Sequence, residues 1–212
     1  CVTAQHREML DQVLALFGIE PDHDLDVMAD NQTPVQVAAA VLSGLEPVLQ
    51  TEKPDWVLVQ GDTTTVTAAS LAAFYAGVKV GHVEAGLRTH DKRRPFPEEI
   101  NRRVASAIAD LHFAPTEGAR QNLLAEGLSD EDILVTGNPV IDALHWVAEL
   151  PYDPSSGPLA GVPWQRQILL VTAHRRENFG LPLEQICLAL AEIADKYRAR
   201  VQIVYPVHLN PN

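Results

Sequence analysis

The chain has 212 residues, and 28 acidic against 16 basic side chains leave a formal charge of −12. With 46% hydrophobic and 21% charged residues it has the composition of a soluble globular protein, which excludes disorder for most of its length. Its longest unbroken apolar runs, such as 37–42, fall far short of the roughly 18 residues of a membrane span, and the acidic balance speaks against nucleic acid or an anionic membrane as partner. Cys1 and Cys187 offer neither a disulfide framework nor a zinc site and fit a reducing cytoplasm.

Residues 1–4 read as the tail of a strand, so the chain is expected to be cut at its start. The spacing of Leu10, Val13, Leu14 and Phe17 predicts a helix over 9–17, ended by Gly18. Val37, Val41, Leu45 and Val48 predict another over 35–50. A continuous apolar strand, 56–59, follows, then Gly61-Asp62-Thr63, a helix over 64–75 closed by Ala76-Gly77, and a strand over 78–83. The segment 84–96 is a long polar loop, and Pro97 with Glu98 and Glu99 marks a helix start. Short strands at 111–114 and 133–136 flank a helix near 117–126.

Pro151, Pro154, Gly157, Pro158, Gly161 and Pro163 mark a linker over 151–165 between a first domain, 1–150, and a second, 166–212. A new series then opens: a strand over 168–172, a loop from His174 to Gly180, a helix over 183–196 and a strand over 201–205. Apolar strands alternating with amphipathic helices predict an α/β protein of two parallel-sheet units, the second incomplete. No solenoid repeat or low-complexity tract interrupts the pattern.

Open α/β sheets bind ligands beyond the carboxyl ends of their strands. The residues at those ends are Gly61-Asp62-Thr63, Glu84-Ala85-Gly86, Gly137-Asn138-Pro139 and Ala173-His174-Arg175-Arg176. Two carboxylates, a histidine and an arginine pair would meet in one crevice. Asp62 also suits a helix N-cap, whereas Glu84 caps no visible helix. By spacing alone, Glu98/Arg102 and Glu99/Arg103 are i,i+4 surface ion pairs. Arg88, Lys92, Arg93, Arg94, Arg102 and Arg103 put six of the 16 basic residues in one short stretch, which suggests an anionic ligand. Arg175 and Arg176 suit bidentate phosphate contacts, and His174 could meet a leaving phosphate. The other histidines, among them His23, His112 and His145, read as structural. No G-x-G-x-x-G opens a helix, and H-E-x-x-H, C-x-x-C and G-x-S-x-G are absent, so nicotinamide, metal and serine-nucleophile chemistry find no support in motifs.

Taken together, the segments 3–12, Gly61-Asp62-Thr63-Thr64-Thr65, Gly81-His82-Val83-Glu84-Ala85-Gly86-Leu87-Arg88-Thr89, Pro97-Glu98-Glu99-Ile100-Asn101-Arg102, His174-Arg175-Arg176-Glu177-Asn178-Phe179-Gly180 and Val204-Tyr205-Pro206-Val207-His208-Leu209-Asn210-Pro211 resemble the non-hydrolysing UDP-N-acetylglucosamine 2-epimerases, in that family's order and spacing. The resemblance implies a GT-B-type fold with UDP-sugar between two Rossmann-like halves. It implies Asp62, Glu84, Glu98 and His174 as catalytic side chains, reversing the surface reading of Glu98. It places Arg88, Arg102, Arg175 and Asn138 at the substrate, and Gln5, His6 and His208 where a second, activating UDP-GlcNAc binds in some bacterial members. At that second site Glu8 and Asn31 depart from the Gln and Arg of those members, and Ala173 stands where Gly is common. No cofactor and no metal are implied, and a cytoplasmic homodimer is expected. The family's N-terminal glycine–threonine–arginine–proline segment and its uridine-gripping C-terminal segment are not in this sequence. Loss of UDP from C1 would acidify the C2 hydrogen, letting a carboxylate remove it to give 2-acetamidoglucal, and re-addition would give UDP-N-acetylmannosamine. The alternatives are a hydrolysing relative that releases ManNAc and UDP, a glycosyltransferase of the same fold, and a non-catalytic UDP-sugar-binding fragment.

Overall fold

A computed structural model describes residues 1–5, 7–29, 31–173 and 180–206. The chain divides into two units, 1–148 and 149–212, and the proline-rich stretch falls in the second.

In the first unit the elements run α1 (Arg7–Phe17), α2 (Pro34–Glu52), β1 (Trp56–Gln60), α3 (Thr64–Tyr75), β2 (Lys79–Val83), α4 (Glu98–Ile108), β3 (Leu111–Ala114), α5 (Glu117–Ala125), β4 (Ile133–Val135) and α6 (Pro139–Ala148). The four strands pair in parallel in chain order, β1-β2-β3-β4, with Val59 opposite His82 and His82 opposite His112. Before them, Val2 and Asp24 form an isolated parallel bridge and Ala4 turns into the left-handed region at φ 55°, so of the strand tail expected over 1–4 the structure shows a single bridge.

Local chemistry explains the elements. Val37, Val41, Leu45 and Leu49 recur every fourth residue of α2 and are all buried, and a Thr33–Gln36 capping box starts the helix. α3 buries the small side chains Ala68, Ala69, Ala72 and Ala73, which lets its backbone lie close to the sheet and to α2. Val59 and Val80 complete this core, while Leu58, on the other face of β1, is 65% exposed. A second core joins Ala85, Ala114, Ala119, Leu123 and Ile133, packing α5 under the segment that follows β2.

One helix of this unit is absent from the sequence prediction. α6 follows Gly137-Asn138 directly, and its Val140, Ile141, Leu144 and Val147 stand at helical spacing although all four are exposed. Trp146 stacks on Phe17 of α1, with ring centroids 4.8 Å apart.

In the second unit, β5 (Gln167–Leu170) and β6 (Val201–Val204) pair in parallel, with α7 (Leu181–Lys196) between them in the chain. The loop carrying His174 and Arg175 lies outside the described residues, as do His6 and His208. Among the described residues no helix is long and apolar enough to cross a membrane.

Candidate active site at the carboxyl edge of the first sheet

Asp62 follows β1 and Glu84 follows β2, so both carboxylates leave the sheet at the same edge. Asp62 is not the helix cap that its position suggested. Thr63 holds that place, its side chain accepting from the backbone of Val66. The Asp62 carboxylate is thereby left for tertiary partners. Arg102 of α4 donates to its Oδ2 from Nε (3.0 Å) and Nη2 (2.7 Å), and Asn101 donates from Nδ2 to its backbone carbonyl at 2.9 Å.

Glu84 sits at φ 65°, in the left-handed region that costs a side-chain-bearing residue strain energy. That conformation turns the chain sharply at the strand end. Asn138, after β4, donates from Nδ2 to Glu84 Oε1 at 2.7 Å. The other oxygen, Oε2, would lie 3.5 Å from a Cβ at Gly61, so the Glu84 carboxylate rests over the turn that carries Asp62. His82 ties the same turn to β2, its Nε2 lying 2.8 Å from the Gly61 carbonyl. Burial pushes the His82 imidazole below its usual 6.5 and pushes His112, opposite it on β3, to about 4.

Glu98 opens α4, and its Oε2 is buried with no hydrogen-bond partner among the described residues. The surface pair with Arg102 expected from i,i+4 spacing does not form, because Arg102 faces Asp62 and Glu99 instead. Glu98, Asn101 and Arg102 share one side of the helix by their three- and four-residue spacing. The side that grips Asp62 therefore also presents Glu98.

Two arginines that the resemblance places at the substrate have partners within the chain. Arg88, expected at the substrate, has a side chain with no solvent exposure. It donates to both carboxylate oxygens of Glu126 at 2.8 Å, to Ser106 Oγ at 3.0 Å and to the Leu87 carbonyl at 2.8 Å. The Arg88 guanidinium holds the Glu126 carboxyl below the usual carboxylate range. Arg102, also expected at the substrate, is an internal partner of Asp62 and Glu99. Glu99, read as a surface residue, is wholly buried and receives the backbone N–H groups of Thr89 and His90. Although burial opposes its charge, those two donors and Arg102 bring its carboxyl below the usual range.

The structure thus brings Asp62, Glu84, Glu98, Arg102 and Asn138 to one sheet edge. Glu99, Asn101 and His82 were missed by the sequence reading. Gln5 lies beside the start of α3, accepting from Thr65 Oγ1 at 2.6 Å. Among the described residues no cluster of three His, Cys, Asp or Glu side chains could hold a metal ion.

Comparison with known proteins connects this edge to a family. The family model described as UDP-N-acetylglucosamine 2-epimerase matches residues 1–212. A UDP-N-acetylglucosamine 2-epimerase of Salmonella typhimurium is 57% identical over all of this chain, and one of Escherichia coli K12 is 54% identical over the same extent. A crystal structure of the Neisseria meningitidis UDP-GlcNAc 2-epimerase bound to UDP-GlcNAc superposes with a TM-score of 0.92 at 48% identity. This chain covers 58% of each of these three relatives' lengths. Its α/β architecture of parallel sheets is the GT-B-like class of such structures. On the strength of the end-to-end match, the chain belongs to the UDP-N-acetylglucosamine 2-epimerase family.

Proposed function

We propose that the protein interconverts UDP-N-acetylglucosamine and UDP-N-acetylmannosamine by elimination and re-addition of UDP. The observation that carries this reading is the grouping of three carboxylates at one sheet edge, each in a different setting. Asp62 faces a guanidinium, Glu84 an amide, and one oxygen of Glu98 faces no partner among the described residues. Inverting C2 requires a proton to leave one face of the sugar and return on the other, and carboxylates in unlike environments suit acid and base roles. UDP leaving from C1 gives the neighbouring hydrogen the acidity that a carboxylate base needs. The C2 proton then passes to the carboxylate, the C1–O electron pair departs with UDP, and 2-acetamidoglucal remains. Protonation of C2 on the opposite face and attack of UDP at C1 complete the cycle. His174 and Arg175 are assigned to the departing diphosphate by the sequence resemblance, as cations suited to that charge. The relative solved with UDP-GlcNAc supports the substrate class. A cytoplasmic homodimer that supplies ManNAc-type sugars for surface polysaccharide completes the reading, and sedimentation of the full-length protein tests the dimer.

The test is to incubate full-length protein with UDP-GlcNAc, without added NAD or metal, and follow the sugar anomeric signals by NMR. UDP-ManNAc is expected. Free ManNAc with UDP would show the hydrolysing reaction instead, and no conversion would overturn the reading. In D2O, product should carry deuterium at C2, and an 18O label bridging C1 and phosphate should scramble into non-bridging positions. Deuterium entry without scrambling would count against elimination.

A further inference from the structure

Glu99 is fully buried, although a carboxylate is costly to remove from water unless it is paired. Each of its oxygens has one backbone donor and one guanidinium. Oε2 accepts from Thr89 N at 3.0 Å and Arg102 Nη1 at 3.3 Å, while Oε1 accepts from His90 N at 3.1 Å and faces Arg103 Nε at 3.6 Å. Arg102 is shared. Its Nη1 points to Glu99, and its Nε and Nη2 converge on Oδ2 of Asp62. A guanidinium is planar and rigid, so fixing one edge of it fixes the direction of the other.

The two backbone donors matter as much as the arginines. Thr89 and His90 lie in the segment that leads into α4, and His90 takes a left-handed φ of 62°. Thr89 Oγ1 also donates to the Arg94 carbonyl at 2.5 Å, closing the turn just before Pro95. Glu99 therefore anchors that turn from inside the helix whose first residue is Glu98.

We infer that Glu99 is a positioning residue of the active site, setting the Asp62 carboxylate through Arg102 and the entry of α4, with Glu98, through Thr89 and His90. The inference rests on the proposed function in one respect, that Asp62 acts on the reacting sugar. A carboxylate that only stapled the loop would need neither the shared guanidinium nor its alignment on a single oxygen of Asp62.

The test is a mutant cycle in the full-length protein, using Glu99→Gln, Asp62→Asn and the double variant. If Glu99 acts through Asp62, Glu99→Gln lowers kcat by roughly 30-fold or more while KM moves less than about threefold. The double variant then turns over within about twofold of Asp62→Asn alone, since neighbours in one network do not add. Wild-type kcat in Glu99→Gln, or a double variant that falls by the product of the single losses, would overturn the inference. If the Gln variant does not fold, Glu99→Asp, which keeps the charge but withdraws it by a methylene, takes its place in the same cycle under the same criteria. A second readout does not need turnover: the Arg102 Nε–Hε proton should exchange slowly with water in the wild type and faster in Glu99→Gln. Unchanged exchange would overturn the inference even if the protein proved to have another activity, and absence of UDP-GlcNAc conversion in the wild type would instead count against the proposed function.

Discussion

Asn138 donates from Nδ2 to Oε1 of Glu84 at 2.7 Å, joining the end of β4 to the end of β2 across 54 positions of sequence. Its own Oδ1 accepts from Val140 N at 3.0 Å, so one side chain both starts α6 and orients a proposed catalytic carboxylate. The two duties can be separated. Asn138→Asp keeps the acceptor for α6 but sets a second carboxylate against Glu84. It should fold with little loss yet reduce kcat more than Asn138→Ala, for which loss of a hydrogen bond to a charged group, about 1.5 kcal/mol, gives a roughly tenfold decrease. Steady-state kinetics of both variants, with melting curves as control, decide it. If the Asp variant matched wild type in kcat, the orientation role of Asn138 would be refuted.

Glu98 is the position where local spacing and tertiary structure disagree most. It has no ion pair to lose among the described residues, so Glu98→Gln should leave the melting temperature unchanged or slightly raised. Turnover should fall roughly 100-fold or more with UDP affinity nearly intact, because an acid/base group contributes in the transition state. Near-wild-type turnover in this variant would sink the assignment.

That disagreement shows what local sequence could and could not carry. The strands are legible as short apolar runs, and most helices because their apolar residues recur at helical spacing, as in Val37, Val41, Leu45 and Leu49. The strand-end rule likewise points to Asp62, Glu84 and Asn138 from sequence alone. The arginines were not legible, since the partner of Arg88 is Glu126, 38 positions away, and that of Arg102 is Asp62, 40 positions away. Spacing of three or four residues reports only neighbours on one helix, and says nothing of carboxylates distant in sequence that the fold brings to the same guanidinium. Glu99 was misread for the same reason: only the fold reveals that α4 turns it inward to the Thr89 and His90 amides.

Gly86 is where the segment bearing Glu84 presses on α5. Its φ is +87°, and an added Cβ would lie 2.2 Å from the Ala119 carbonyl oxygen and 3.0 Å from Leu123 Cγ. The obstacle is helix backbone, which cannot rotate away as a side chain would. Gly86→Ala should therefore cost about 3 kcal/mol or more, combining left-handed strain with overpacking. Urea denaturation measures the loss, and a cost under about 1 kcal/mol would refute the close packing of this turn on α5.

The buried histidines predict a pH dependence that carboxylates cannot mimic. His82 and His112 face each other across β2 and β3, each with a buried Nδ1 lacking a partner among the described residues. Burial, aided for His112 by the neighbouring His82, lowers both, His112 from the ordinary 6.5 to about 4. Above pH 6.5 these imidazoles are neutral in the folded and the unfolded chain alike, and the stability they permit is fully present. Below it the unfolded chain takes up protons that the folded chain refuses, so stability falls with pH until His112 protonates in the fold near 4. For His112 alone the loss between pH 7.5 and pH 5 should be about 2 kcal/mol, and His82 adds to it in the same direction. Glu99 and Glu126, held below the usual 4.5, lose their contribution only at lower pH and leave this window to the histidines. Urea denaturation at pH 7.5 and 5 measures the difference, and His112→Asn should shrink it even though that variant is less stable at both. A wild-type stability that stays flat across the window would show that the two rings are not held neutral inside the sheet.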